Sequence, residues 1–284
     1  MNVEKPLLAR HLTRSYRVAP FRGKMVALER FSADLLPGMV CGLVGPNGSG
    51  KTTAVRCCLG LLAPTAGRVE LFGLPPGSRA VRASLGYAPE TYGLCSRRTG
   101  RETLELLGAL SGLGGKKLAN RIDGLLERFE LSAAADRRLS GFSKGMVRRL
   151  SIAGSLLGDP RLLVLDEPFD GLDPLGGQIV REEIRARANR GAAILVSSHA
   201  LPDLEAVATH LTILAAGATL EQGTLDGVLA RRDRIEMVLQ GVSENDLQRI
   251  REVVRELGGD LVSAGPARES LEDLFRRRVG GGDD

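Results

Sequence analysis

The sequence predicts an α/β fold built on a parallel β-sheet whose strands end in loops suited to handling a ligand. Three apolar runs point to it. Val40-Cys41-Gly42-Leu43-Val44, Leu162-Leu163-Val164-Leu165 and Ala193-Ile194-Leu195-Val196-Ser197-Ser198 each read as a strand buried on both faces, the pattern of a parallel sheet covered by helices. Each run is followed at once by residues of chemical character: a glycine-rich loop, then Asp166-Glu167, then His199. Open α/β sheets receive their ligands at the carboxyl ends of the strands.

The loop after the first run, Gly45-Pro46-Asn47-Gly48-Ser49-Gly50-Lys51-Thr52-Thr53, fits the phosphate-binding pattern of a glycine, four residues, then Gly-Lys-Ser/Thr. Glycine lacks Cβ, reaches positive φ and lets backbone approach a phosphate chain closely. The loop's N–H groups and the next helix's N-terminus then direct positive dipoles at the anion. Lys51 is expected to reach the β- and γ-phosphates, and the Thr52 hydroxyl to ligate Mg²⁺. Downstream, Ala54, Val55, Cys58, Leu59 and Leu62 share one helical face, with Pro64 and Gly67 expected to stop the helix. Asp166 is placed to hold Mg²⁺ through water, and Glu167 to polarise a water towards the γ-phosphate. His199 is expected to contact that phosphate.

A chain of 284 residues, 43% hydrophobic, accommodates one large domain and a small appendage. No window approaches the roughly twenty consecutive apolar residues of a membrane span. The start, Met1-Asn2-Val3-Glu4-Lys5, lacks the basic and apolar regions of a signal peptide. The expected location is therefore the cytoplasm, free or docked to a membrane from that side. Cys41, Cys57, Cys58 and Cys95 show no metal-ligand pairing and are expected as reduced thiols. The net charge of +5 comes from arginines spread along the chain, with no basic run interleaved with aromatics, so nucleic acid is not an expected partner.

Together the phosphate loop, Asp166-Glu167 and His199 resemble the ATP-binding subunit of an ATP-binding-cassette (ABC) transporter, of the exporter, multidrug-export-like type. Leu139-Ser140-Gly141-Phe142-Ser143-Lys144-Gly145-Met146 resembles that family's signature motif, in a Ser-Lys-Gly-Met version in place of the commoner Ser-Gly-Gly-Gln. Ser143 and Gly145 keep the positions that contact phosphate. Phe169-Asp170-Gly171-Leu172-Asp173 resembles the D-loop, with Asp173 as its acid. Tyr16 resembles the aromatic that stacks on adenine, with Phe21 as a rival. Gly86-Tyr87-Ala88-Pro89-Glu90 resembles the Q-loop region, with Glu90 where most members carry glutamine; it retains an oxygen for the metal or its water.

The resemblance implies a P-loop NTPase fold of the ABC-ATPase kind, with an antiparallel β subdomain, a helical subdomain and a small α+β C-terminal extension. It also implies hydrolysis of ATP with Mg²⁺, and a dimer in which each ATP lies between the P-loop of one subunit and the signature of the other. Both half-sites carry their motifs, which favours a homodimer over a heterodimer. The further partners implied are transmembrane permease subunits on separate chains, placing the protein on the cytoplasmic face of the membrane. A soluble family member acting in translation or DNA repair is the alternative. One P-loop argues against the translation type. The short, glycine-interrupted stretch between P-loop and signature argues against a repair-type coiled coil.

The nucleotide-binding domain is expected over residues 1–230. Residues 1–40 are read as the antiparallel region, and about 91–160 as helical, with Leu104, Leu107, Ala109, Leu110, Leu125, Leu126 and Phe129 setting the pattern and a Ser111–Gly115 loop. A helix is expected from Gln178 to Asn189, stopped by Gly191. A hairpin is expected to turn at Gly217. Residues 231–284 read as β-α-β-α: Ile235, Met237 and Leu239 alternate, a helix after Ser243 carries Leu247, Ile250, Val254 and Leu257, then Leu261-Val262 and a last helix with Leu271, Leu274 and Phe275 follow.

Overall fold

Two long strands, β1 (Leu7–Arg17) and β2 (Lys24–Leu35), pair antiparallel at the start of the computed structural model, which describes residues 4–17, 23–91, 93–199, 201–230, 243–259 and 261. Then β3 (Val40–Val44) leads through the glycine-rich loop into α1 (Lys51–Cys58). The strand β4 (Ala66–Glu70) returns antiparallel to β1, and a short α2 (Arg79–Ala83) precedes β5 (Leu85–Ala88). Three helices follow, α3 (Gly100–Leu110), α4 (Gly115–Arg128) and α5 (Lys144–Ser155). The chain re-enters the sheet as β6 (Leu162–Asp166), α6 (Pro174–Asn189), β7 (Ala193–Ser198) and α7 (Leu201–Glu205). A hairpin, β8 (His210–Ala215) and β9 (Ala218–Thr224), then α8 (Leu225–Leu229), complete this unit of Met1–Ala230. In the second unit, Arg231–Asp284, the described helix is α9 (Glu244–Glu256).

Among the described residues, nine strands form one sheet in the order β4-β1-β2-β9-β8-β3-β7-β6-β5. Its β5, β6, β7, β3 and β8 neighbours are parallel, whereas the other end is the antiparallel β1, β2 and β4. Register decides function here. Val44 lies opposite Ser198, and Asp166 opposite Ser197, so β3, β6 and β7 end side by side. Apolar side chains fill the space on either side. One cluster includes Leu12, Phe31, Leu43, Val55 and Cys58; another joins Ile122, Leu126, Phe129 and Leu150 to Leu165 and Val180. Burial of each such side chain contributes about 1.5–3 kcal/mol, which anchors the helices while leaving the strand ends open.

Several boundaries differ from expectation. Helix α1 stops at Cys58, well before Pro64. Gly60 takes φ +69, its N–H donates to Cys57 O (3.1 Å), and Leu61 N–H donates to Arg56 O (2.9 Å), the double bond of a Schellman ending. Helix α6 starts at Pro174, a turn before Gln178, because Asp173 caps it and Pro174 suits the first turn. On α3, Leu104 and Gly108 are buried, whereas Ala109 and Leu110 face solvent. A Cβ on Gly108 would stand 2.5 Å from Leu118 Cδ1, so the missing side chain lets α3 and α4 close on each other. Gly115 is the first residue of α4 rather than loop. On α9, Leu247, Ile250 and Val254 are half-buried but Leu257 is 83% exposed. Phe21, the strand at Ile235, Met237 and Leu239, Val262, and the helix with Leu271, Leu274 and Phe275 lie outside the described residues.

Candidate functional site

The loop between β3 and α1 is shaped by glycines whose positive φ or close contacts disfavour a side chain. Gly48 and Gly50 take φ +80 and +103. A Cβ on Gly45 would fall 2.3 Å from Leu214 O and 2.5 Å from Ser49 Oγ. Pro46, Asn47 and Gly48 form the exposed tip, while Ser49 is buried beneath it. Ser49 N–H donates to Pro46 O (3.1 Å), and Gly217 N–H to Ser49 O (2.9 Å), tying the loop to the β8–β9 turn. Helix α1, which begins with Lys51, Thr52 and Thr53, has no side-chain cap and no acidic residue in its first turn. Its first N–H groups therefore lack an internal partner and carry the positive end of the dipole. That is a seat for an anion.

Lys51 is 6% exposed. Its ammonium donates to Gly45 O (2.7 Å) and Pro46 O (3.4 Å), and stands 3.4 Å from Glu167 Oε1. Glu167 sits at φ +52, beyond the end of β6, where its N–H donates to Ser197 O (2.9 Å) and Ser197 Oγ (3.2 Å). A non-glycine residue in this left-handed region is uncommon and costs about 1–3 kcal/mol. His199 closes on Glu167 from β7: its Nδ1 lies 2.7 Å and its backbone N 3.2 Å from Glu167 Oε2. An ionised carboxylate only accepts, so Nδ1 carries the proton in that state and Nε2 is left for another group. His199 thus joins the site through Glu167, a contact not anticipated from sequence.

Asp166 is 1% exposed. Ser197 Oγ donates to its Oδ1, while Oδ2 is buried and without a hydrogen-bond partner. Burial pushes the Asp166 carboxyl up from the usual range, opposed by the Ser197 and Thr52 hydroxyls and reinforced by the Glu167 charge. An orphaned carboxylate oxygen beside a threonine hydroxyl, facing an anion seat, fits a divalent cation that needs oxygen ligands and shares them with phosphates. Among the described residues no three His, Cys, Asp or Glu side chains converge as a self-sufficient metal cage.

The remaining residues form two neighbouring groups. Ser143 caps α5, its Oγ accepting from Met146 N–H (3.2 Å), and is exposed. A Cβ on Gly145 would lie 3.0 Å from Gly171 O. Lys144 reaches Asp170 (Nζ to Oδ2, 2.8 Å) over Gly171, so the signature-like and D-loop-like segments interlock. Asp173 accepts from Gly176 N–H (2.8 Å) as the α6 cap. Tyr16 is half-buried near the end of β1 with the Arg14 guanidinium 4.7 Å from its ring centroid, a cation–π stack that covers one ring face. Glu90 is exposed just past β5, and its carbonyl accepts from Arg148 (2.9 Å).

Reasoning from sequence missed Ser197 and Arg148. Ser197 carried a readable signal, a hydroxyl at the end of an apolar strand. Arg148 carried none, because an arginine among helix residues reads as solvated.

A family model described as ABC transporter matches residues 28–170. An uncharacterized ABC transporter ATP-binding protein of Synechocystis is 34% identical, over 90% of this chain and 79% of the relative. The chain belongs to the ABC transporter family. Within it, this chain is the ATP-binding, ATP-hydrolysing component of an exporter-type transporter. Nod factor export ATP-binding protein I of Paraburkholderia xenovorans is 35% identical, over 73% of this chain and 69% of the relative. A solved ATP-binding subunit of an ABC transporter superposes with a TM-score of 0.69 at 27% identity, covering 96% of this chain and 99% of its own. Among the described residues no helix is long and apolar enough to cross a membrane.

Proposed function

We propose that this ABC ATPase works as a homodimer on the cytoplasmic face of a membrane, attached to transmembrane permease subunits on separate chains. The observation that carries the reading is the convergence of Lys51, Asp166, Glu167 and His199 at adjoining strand ends, over a helix N-terminus with unpartnered N–H groups. The export relative supports the direction of transport. Nucleic acid has no part in it.

In this reading Tyr16 stacks on adenine with the ring face that Arg14 leaves open. Residues Gly45 to Thr53 wrap the phosphates, and Lys51 exchanges its carbonyl partners for β- and γ-phosphate oxygens. Thr52, Asp166 and Glu90 would hold Mg²⁺, and the ion would supply neutralisation of the phosphate charge. Glu167 takes a proton from a water whose oxygen attacks the γ-phosphorus, the bond to the β-phosphate oxygen breaks, and ADP and inorganic phosphate leave. His199 orients the Glu167 carboxylate through Nδ1 and offers Nε2 to the γ-phosphate. Fixed donors of this kind stabilise developing charge without reorganising.

Ser143 and the Gly145 amide begin a second helix with free N–H groups and would meet the ATP held by the partner subunit's P-loop, with Asp173 beside it. Nucleotide then adds contacts only in the closed dimer and shifts the equilibrium towards it. To test this, the affinity-tagged chain is purified from its native cells in mild detergent. A stoichiometric polytopic membrane protein is the expected companion. Ribosomes or DNA, with no membrane protein, would assign the same hydrolysis to a soluble task.

A further inference from the structure

Arg148 is 2% exposed, and its guanidinium leaves α5 to grip the ends of two strands. One terminal nitrogen, Nη1, donates to Pro89 O and to Asp166 O (3.2 Å each), and Nη2 donates to Glu90 O (2.9 Å). Pro89 and Glu90 follow β5, Asp166 ends β6, and these strands are parallel neighbours. The Asp166 and Glu90 carbonyls thus belong to the residues whose side chains are assigned to the metal. Asp166 is held twice, by Arg148 at its carbonyl and by Ser197 at Oδ1, which leaves Oδ2 buried and unpartnered. A guanidinium presents its donors in a rigid planar fork, so it fixes the spacing of two strand ends as a lysine cannot. Hydrogen bonds from a buried cation are about twice as strong as neutral ones.

We propose that Arg148 is the positioning residue for the metal side of the site, holding the Asp166 and Glu90 peptides so that their carboxylates address one Mg²⁺. This rests on the assignment of Asp166 to Mg²⁺ made above. Groups that orient metal ligands from behind commonly change metal affinity by about 10–100-fold when altered. Arg148 touches main chain rather than the ligand oxygens, so the low end, about tenfold, is expected.

The test uses the full chain and the fluorescent analogue mant-ATP. Its dissociation constant is measured in EDTA and in saturating Mg²⁺, and the ratio isolates the metal's contribution. R148K keeps the charge and loses the fork; R148M removes the charge. Both are expected to shrink the ratio about tenfold, with binding in EDTA unchanged. Should R148M fail to fold, R148K decides alone. A wild-type ratio in R148K, with D166N reduced, would overturn the proposal and leave the metal assignment standing. So would an equal loss in EDTA and Mg²⁺, the mark of a residue that only supports the fold. If D166N keeps the wild-type ratio, the metal assignment itself fails.

Discussion

Replacing Glu167 by Gln keeps the volume of the side chain and removes its basicity and charge. The Glu167 carboxylate stands 3.4 Å from the Lys51 ammonium and 2.7 Å from His199 Nδ1, with the Glu167 and Lys51 side chains less than a tenth exposed. At an effective dielectric of about 20 the Lys51 attraction amounts to roughly 5 kcal/mol before desolvation, most of which burial of the two charges offsets. Lys51 retains its bond to Gly45 O in the variant. The net loss is that of one ion pair, comparable to an interaction with a charged group at about 1.5–3 kcal/mol, and bound ATP recovers part of it by supplying phosphate oxygens to Lys51. The chemical step loses its general base, about 10²–10⁴-fold, equal to roughly 3–5.5 kcal/mol of barrier. Phosphate release under single turnover and mant-ATP titration measure the two effects separately. The variant should bind nucleotide and scarcely turn over. Turnover within about threefold of wild type, with binding intact, would refute Glu167 as the base, since so small a change lies below any general-base contribution.

Other outcomes follow from particular residues. Because burial holds the Asp166 carboxyl above its ordinary range, the folded state binds its proton more tightly than the unfolded one, and stability attributable to this group falls as pH rises through that range. Asp166→Asn should therefore melt higher than wild type at neutral pH, with the gap closing on acidification below the ordinary carboxylate range; a gap that widens in acid would contradict it. Gly50→Ala, at φ +103 with its Cβ 2.6 Å from Ala27 O, should cost about 1–3 kcal/mol of strain and weaken mant-ATP binding. Gly191→Ala, at φ +90 with no atom within 4 Å of its Cβ, should lower only the melting temperature. Burial raises the Cys41 thiol to about 11 and the Cys57 and Cys58 thiols as well, whereas Cys95 is exposed. A thiol reagent should label Cys95 promptly in the native protein and all four cysteines after denaturation.

Much of the candidate site was legible because its shape is written in contiguous residues. The run Gly45 to Thr53 needs positive φ, an uncapped helix start and a lysine within a few residues of one another, and local spacing encodes all three. The strands entering Asp166, Glu167 and His199 were legible for a related reason: side chains buried on both faces leave unbroken apolar runs. Helix ends were harder. At Gly60 the chain leaves α1 because a glycine beside Pro76 takes a left-handed turn, and sequence offered the nearby Pro64 as an equally good stop. On α3 one inward position is Gly108, invisible to a reading that looks for apolar side chains, because close helix packing there requires the absence of one.

By itself the sequence determined the class of fold, the glycine-rich loop and the acids at the strand ends, all consequences of backbone preference and burial over a few residues. Only the tertiary structure decided that Ser197 holds Asp166, that His199 meets Glu167, and that Arg148 binds the ends of β5 and β6. Those pairings depend on parallel-strand register and on a helix crossing the sheet between segments far apart in the chain. No local preference encodes them; they exist because packing the apolar faces brings particular strand ends into register and leaves their polar groups to satisfy one another.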